Sequence, residues 1–140
     1  TFGLYLTSEK IPQAIVEWVT SYHLSAAMFW VATQVMFFIM GTFLEAVSII
    51  LITVPILFPL LKVVGIDPIH FAVIMVVNME LAMITPPVGL NLFVVSGIAK
   101  AKLEQVVRGV IPFIIIMIVG MILLIMFPQI TLLLPNMMKN

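Results

Sequence analysis

The stretch "MELAMITPPVGLNLFVVSG", residues 79–97, interrupts a helix inside sequence that is otherwise apolar enough for lipid. Proline lacks a backbone N–H and biases the preceding residue away from helix, so the pair Pro86-Pro87 predicts that the helix stops at Thr85. A free carbonyl is tolerated at membrane depth only where protein or water surrounds it. We therefore predict a broken transmembrane helix over 69–99 with an unwound segment at 85–89.

The composition of the whole chain indicates an all-α integral membrane protein. Of its 140 residues, 64% are hydrophobic and only 9% are charged. A soluble domain is nearer half apolar and a quarter charged, so this chain has too few polar residues to cover a water-facing surface. The net charge is zero and basic residues do not cluster, which argues against a nucleic-acid partner.

Enzymatic and metal-binding patterns are missing from the sequence. It contains no cysteine, and its two histidines, His23 and His70, are far apart and form no ligand pair. We find no nucleophile–base pair, phosphate-binding loop or metal-ligand spacing. The sequence thus predicts a protein that is not an enzyme and has no resident cofactor.

Residues 24–61 form an almost unbroken apolar run before the broken helix. As one helix this run would be roughly 55 Å long, against about 30 Å for the hydrocarbon core. Its only polar interruption is "GTFLEA", Gly41 to Ala46. We predict a re-entrant helical hairpin with its tip near 41–46 and its arms meeting at Gly41-Thr42. One long tilted or kinked helix, or two tight spans, are the alternatives.

The two ends of the chain complete the predicted organisation. Residues 1–23 are the least hydrophobic part and are typical of an amphipathic, interfacial segment. Residues 109–134 are predicted to form a terminal transmembrane helix whose far end Pro128 kinks. No charged-then-apolar leader follows Thr1, and the opening resembles the later part of a longer chain.

A helix broken in the membrane offers two kinds of binding group. The last carbonyls of its first half, with the hydroxyl of Thr85, suit a dehydrated cation such as Na⁺. The first N–H groups of its second half, near Gly89 to Asn91, suit an anionic substrate. The sequence has a second interruption at Gly41-Thr42, and paired interruptions are typical of transporter binding sites. A simple proline kink is the alternative interpretation of Thr85–Gly89.

Three further polar residues in apolar sequence are predicted to be buried and to need partners. Glu45 and Glu80 each lie about one turn from a predicted interruption. Either carboxyl group could add charge near a cation, or be protonated and bond a neighbouring helix. Asn78 is predicted to bridge helices, and the 11 methionines are interpreted as packing residues.

Three quoted segments carry a resemblance to a known family. They are "GTFLEAVSIILITVPILFPL", "GIDPIHFAVIMVVNMELAMITPPVGLNLFV" and "LLLPNM". From roughly Phe38 onward the chain resembles the C-terminal portion of the DctM-like large permease subunit of tripartite ATP-independent periplasmic (TRAP) transporters. A glycine is common in that family where Ala82 stands here.

The resemblance implies one inverted repeat of an elevator-type ion-transporter fold, in a multi-pass protein of the bacterial inner membrane. The implied activity is sodium-driven import of small organic acids, such as C4-dicarboxylates, delivered by a periplasmic binding protein. By position it implies a sodium site at Gly41, Thr42, Thr85, Pro86 and Gly89, and substrate contacts at Thr42, Thr85 and Asn91. It also implies a small membrane subunit and a remaining N-terminal repeat as partners.

Two other functions remain open at this point. One is a non-transporting membrane interaction or assembly subunit, in which "TPPVG" only kinks a helix that docks a partner. The other is a sodium/carboxylate symporter that works without a binding protein. Stabilisation by sodium separates the transporter from the interaction subunit, and dependence on an added periplasmic protein separates the two transporters.

Overall fold

The computed structural model describes residue 17, residues 21–22 and residues 25–139. The predicted interfacial segment at 1–23 therefore lies outside the described residues, apart from Glu17, Ser21 and Tyr22. Residues 25–139 contain six helices and no strand, which confirms the predicted all-α class. The helices are α1 (Ala26–Phe43), α2 (Ala46–Val64), α3 (Pro68–Met83), α4 (Leu90–Ala99), α5 (Leu103–Met126) and α6 (Pro128–Met138).

Three of the described helices are long and apolar enough to cross a membrane: α1, α2 and α5, with 18, 19 and 24 residues. This agrees with an integral membrane protein. The shorter α3 and α4, of 16 and 10 residues, follow each other across the interruption. Since both α1 and α2 could span by length, the re-entrant insertion of the hairpin that they form stays a prediction.

A tight turn at residues 65–67 reverses the chain direction between α2 and α3. Gly65 ends α2 in the left-handed region, at a φ of 78°, where glycine carries no Cβ penalty. Asp67 then caps α3, because its carboxylate accepts hydrogen bonds from the N–H groups of Ile69 and His70 at 2.8 and 3.2 Å. Pairs such as Leu61 with Pro68 line one groove between the two helices, so α2 and α3 are antiparallel.

Helix α1 runs parallel to α3, as successive contacts along the two helices show. Near their N-terminal ends the rings of Phe29 and Phe71 lie 6.1 Å apart. Near their C-terminal ends Gly41 lies against Ala82. The tip of the α1–α2 hairpin and the end of α3 consequently lie at the same end of the bundle.

Helix α3 is the centre of the described bundle and packs against all five other helices. Its buried face includes Ile74, Met75 and Met79, each at most 3% exposed. These two methionines are packing residues as predicted, whereas Met28, Met126, Met137 and Met138 are exposed on the described chain. The core also takes Phe37 from α1 and Ile49 from α2. The site described below is thus built on the best-packed element of the chain.

The C-terminal part differs from the predicted single helix over 109–134. Helix α5 already begins at Leu103, because the Gln105 side chain accepts from the N–H of Lys102 and Glu104 pairs with Arg108 at 2.8 Å. These contacts let polar sequence continue the helix. The helix ends at Met126, and Pro128 begins the separate helix α6 rather than kinking α5.

A hydrogen bond between side chains fixes α6 against α3. The hydroxyl of Thr131 donates to the carbonyl of Pro128 at 2.8 Å. Its oxygen therefore accepts from Nδ1 of His70, 2.6 Å away. The indole of Trp30 covers the same imidazole edge-on, with ring centroids 5.4 Å apart. His70 thus connects α1, α3 and α6. It belongs to no group of three potential metal ligands, since none occurs in the part of the chain that the structure describes.

Candidate functional site at two helix interruptions

The first interruption lies at Leu44-Glu45, inside the predicted tip at 41–46 and three residues beyond the predicted meeting point at Gly41-Thr42. Gly41 and Thr42 are both buried in the last turn of α1. A bulkier residue than Gly41 would collide with α3, since a Cβ there would lie 2.7 Å from Cβ of Ala82. This glycine therefore permits close packing of two helices and does not form the turn.

The second interruption separates α3 from α4 over residues 84–89. The N–H groups of Ile84 and Thr85 bond back to the carbonyls of Leu81 and Ala82, at 3.3 and 3.2 Å. The two prolines follow, joined by a cis peptide bond. Gly89, at a φ of 49°, precedes the first residue of α4.

Beside each interruption lies a threonine whose hydroxyl donates a hydrogen bond to a backbone carbonyl of the preceding helical turn. Thr42 donates to the carbonyl of Ile39 at 2.7 Å, and Thr85 donates to that of Leu81 at 2.6 Å. A hydroxyl has one proton and two lone pairs, so both oxygens remain available only as acceptors. An oxygen in this state suits a cation or a hydrogen-bond donor, and neighbouring helix-end carbonyls have the same character.

The structure brings some of the predicted site residues together and separates others. Gly41 lies against Ala82, in the last turn of α3, and Ala82 precedes Thr85 by three residues. Gly89 lies close to the Thr85 carbonyl, which is 3.0 Å from the position of a Cβ at Gly89. Pro86 is exposed. These contacts join the two interruptions through the turn of α3 that ends at Met83.

Asn91 lies on another side of the interruption. Its half-buried side chain lines a cavity of about 320 Å³ between α4 and α5, whose other lining residues include Ile84, Val95 and Phe113. The lining is almost wholly apolar. Among the described residues Thr42 and Thr85 form hydrogen bonds within their own helices and none with Asn91, so the shared substrate contact of these three residues stays a prediction.

The two carboxylates predicted to be buried are exposed on the described chain. Glu45 is the N-cap residue of α2 and accepts a hydrogen bond from the hydroxyl of Ser48 at 3.0 Å. Glu80 lies on the outer face of α3. The sequence could not assign these faces, because apolar residues predominate on every side of both helices.

Asn78 bridges helices, as predicted, and its partner was not identified from the sequence. Its side-chain N–H groups donate to the backbone carbonyl and to Oε1 of Gln34, at 3.1 and 2.6 Å. Gln34 is a lone amide in the apolar sequence of α1, and that isolation was the available signal. These hydrogen bonds between Gln34 and Asn78 link α1 to α3, about halfway between the Phe29–Phe71 contact and Gly41.

Replacing Asn78 by leucine should destabilise the protein by about 1 kcal/mol, since hydrogen bonds between membrane helices contribute on this scale. Two atoms of this pair, Gln34 Nε2 and Asn78 Oδ1, are buried without a partner among the described residues. Replacing both residues by leucine removes every unpaired polar atom, so the double variant should recover most of the loss. Thermal unfolding of the wild type, the two single variants and the double variant measures this coupling. Strictly additive losses of stability would show that the two side chains do not interact.

Comparison with known proteins identifies the family. Residues 1–130 match the family model described as the DctM component of the tripartite ATP-independent periplasmic transporter. The C4-dicarboxylate TRAP transporter large permease protein of Pseudomonas aeruginosa is 47% identical over 135 residues, which is 96% of this chain and 32% of that protein. The corresponding protein of Rhodobacter capsulatus is 42% identical over 98% of this chain and 31% of its own length.

A relative with another named substrate is also similar. The sialic acid TRAP transporter large permease protein of Vibrio cholerae is 33% identical over 96% of this chain and 32% of its own length. The chain therefore spans about a third of the length of these relatives. Its relatives are transporter permeases of the inner membrane and not enzymes. By this match over nearly its whole length, the chain belongs to the DctM family of TRAP transporter large permeases.

Proposed function

We propose that this chain is a segment of a sodium-coupled permease that imports small organic acids. The observation that carries the proposal is the position of the two helix interruptions at one end of the bundle, joined where Gly41 meets Ala82. Two half-helix ends at one place supply carbonyl oxygens for a cation and N–H groups for an anion. Groups of both kinds at one place support the proposal that Na⁺ and an acidic substrate bind together there.

In this proposal Na⁺ binds at Gly41, Thr42, Thr85, Pro86 and Gly89, mainly through backbone carbonyl oxygens. The hydroxyl oxygens of Thr42 and Thr85 add acceptor-only ligands, because their protons are engaged within their helices. A hard cation prefers such oxygen ligands. Thr42, Thr85 and Asn91 face the substrate, and the partial positive charge at the start of α4 attracts its acidic group.

The substrate class and the partners follow from the same proposal. The names of relatives mention C4-dicarboxylate, isethionate and sialic acid, so we propose an organic acid and leave its identity to measurement. We further propose three partners: a periplasmic binding protein that delivers the substrate, a small membrane subunit, and the remaining N-terminal repeat of the same permease. Loss of uptake when the binding protein is omitted would separate this function from that of an independent symporter.

Thermal stability in Na⁺ and in K⁺ at equal ionic strength tests the cation site, using the complete permease with its small subunit. A ligand that binds only the folded state at 100 times its Kd stabilises by about 2.7 kcal/mol. We expect a sodium-specific increase that Thr85→Val reduces, because valine keeps the volume and removes the hydroxyl oxygen. No difference between the two salts would contradict the proposed site.

Thr53→Val is the matched control for this measurement. Thr53 is buried in α2 and donates to the carbonyl of Ile49 at 2.7 Å, so it loses the same type of intrahelical bond as Thr85. It lies in the middle of α2, away from both interruptions and from the helix-end carbonyls proposed as cation ligands. We expect Thr53→Val to leave the difference between Na⁺ and K⁺ unchanged.

A further inference from the structure

One face of α3 remains uncovered although the helix is packed on its other sides. The uncovered stripe consists of Ile69, Ala72, Val76 and Glu80, all exposed in the described chain. Their spacings of three, four and four residues place them on one side of a helix. The residues between them include Ile74, Asn78 and Met79, which are at most 1% exposed. The stripe is thus a defined surface on the central helix.

Glu80 makes this stripe unsuitable for contact with lipid. It is the only charged residue between the first turn of α3 and the interruption. No hydrogen bond or ion pair to its carboxyl group is formed by the residues that the structure describes. Ionisable side chains within membrane segments face protein or a water-filled cavity, because the hydrocarbon offers them no partner. Glu80 therefore faces water or another part of the protein, and a protein occupant has to present a hydrogen-bond donor or a positive charge.

A groove beside the stripe defines the shape of that occupant. Phe58 and Leu61 of α2, with Phe71, Ala72 and Met75 of α3, line a space of about 190 Å³. Its walls are almost wholly apolar. Ala72 belongs to both the groove and the stripe, so the two form one continuous surface. An apolar helix could place a side chain in the groove and a polar group opposite Glu80.

We infer that this surface is where the remainder of the same permease polypeptide docks, through an apolar helix that presents a hydrogen-bond donor or a cation to Glu80. The inference rests on the proposed function, in which the chain is one segment of a longer permease. The curated relatives are about three times as long as this chain, so enough polypeptide exists to supply the helix. An intramolecular partner also keeps the carboxylate covered before any other subunit binds.

The first test attaches a nitroxide spin label at position 76 of the complete permease in lipid, after Val76→Cys in a cysteine-free background. Contact with protein predicts an immobilised label with low accessibility to both oxygen and a water-soluble nickel complex. A single-span peptide labelled at its centre in the same lipid provides the lipid reference, and a label at the exposed Lys102 provides the water reference. A label at position 76 with the accessibility of either reference overturns the inference. So does a label that becomes inaccessible only after the small subunit is added, because the covering partner is then another chain.

Because a bulky label could separate the surfaces, substitutions at Glu80 give a second measurement whose sign is informative. If a donor faces Glu80, Glu80→Leu leaves that donor unpaired and lowers the unfolding midpoint by several degrees, whereas Glu80→Gln retains an acceptor and lowers it less. If Glu80 faces lipid, Glu80→Leu raises the midpoint, and the inference fails. Sodium-dependent stabilisation of the same proteins is read separately, so failure of the proposed function remains distinguishable.

Discussion

Replacing Gly41 by alanine should destabilise the complete permease by about 1–3 kcal/mol, the usual range for one added group in a packed core. The new Cβ would lie 2.7 Å from Cβ of Ala82 and 3.7 Å from Cα of Met79. Helix α1 would have to move away from α3 to relieve the first contact. Because this contact joins the two interruptions, the sodium-dependent part of the stability should fall as well. Thermal unfolding in Na⁺ and in K⁺ measures both effects.

The sign of this effect separates close packing from ordinary helix propensity. Alanine in a helix interior is usually more stable than glycine by about 0.5–1 kcal/mol. Gly120→Ala, within α5, is the matched control, since a Cβ there has no neighbour within 4 Å. We expect that variant to be neutral or stabilised. A stabilised Gly41→Ala would show that α1 and α3 are not held in contact at this position.

A second substitution should restore the packing. Ala82→Gly removes the methyl group that the new Cβ of Gly41→Ala would meet, so the double variant should recover most of the stability and of the sodium effect. The new glycine in α3 costs about 0.5–1 kcal/mol in helix propensity, and the new alanine in α1 gains a similar amount, so little net loss is expected.

The two interruptions differ in how far sequence can locate them. Consecutive prolines act on their own backbone, so the end of α3 near Thr85 follows from local chemistry. Glycine has two uses, as a turn former and as a small packing residue. Gly41 serves the second use, and that choice depends on Ala82, a residue 41 positions away. Local sequence therefore placed the hairpin tip within 41–46, where the turn lies, but put the meeting point of the two arms three residues too early.

The faces of the helices were harder to predict than their number. In a soluble protein, polar residues mark the outer face, but here the residues facing the core and those facing outward are both apolar. Asn78 and Glu80 are two positions apart, yet one is buried against Gln34 and the other is exposed. Only the tertiary register of α1 on α3 decides between them. For the same reason, the position of Asn91 beside α5 did not follow from its place after the prolines.

Replacing Gly89 by alanine should lower the stability at least as much as Gly41→Ala does, because a backbone cost and a steric cost combine at this residue. At a φ of 49°, an L-residue lies in the left-handed region, which costs about 1–2 kcal/mol. In addition, the Cβ would lie 2.7 Å from Cδ1 of Leu92 and 3.0 Å from the carbonyl oxygen of Thr85. Leu92 also lines the cavity between α4 and α5, so its side chain has space to shift, whereas the Thr85 carbonyl belongs to the backbone. We expect the Thr85 carbonyl to be displaced, with loss of the sodium-specific stabilisation.

Gly65→Ala separates the backbone cost from the displacement of the carbonyl. Gly65 also has a positive φ, of 78°, but a Cβ there has no neighbour within 4 Å. This control should lower the stability equally in Na⁺ and in K⁺, because it carries only the conformational cost and lies at the turn between α2 and α3. Gly89→Ala should lower it more in Na⁺ than in K⁺. Equal losses in the two salts for both variants would mean that the carbonyl beside Gly89 does not bind the cation, and the proposed ligand set would have to exclude this side of the interruption.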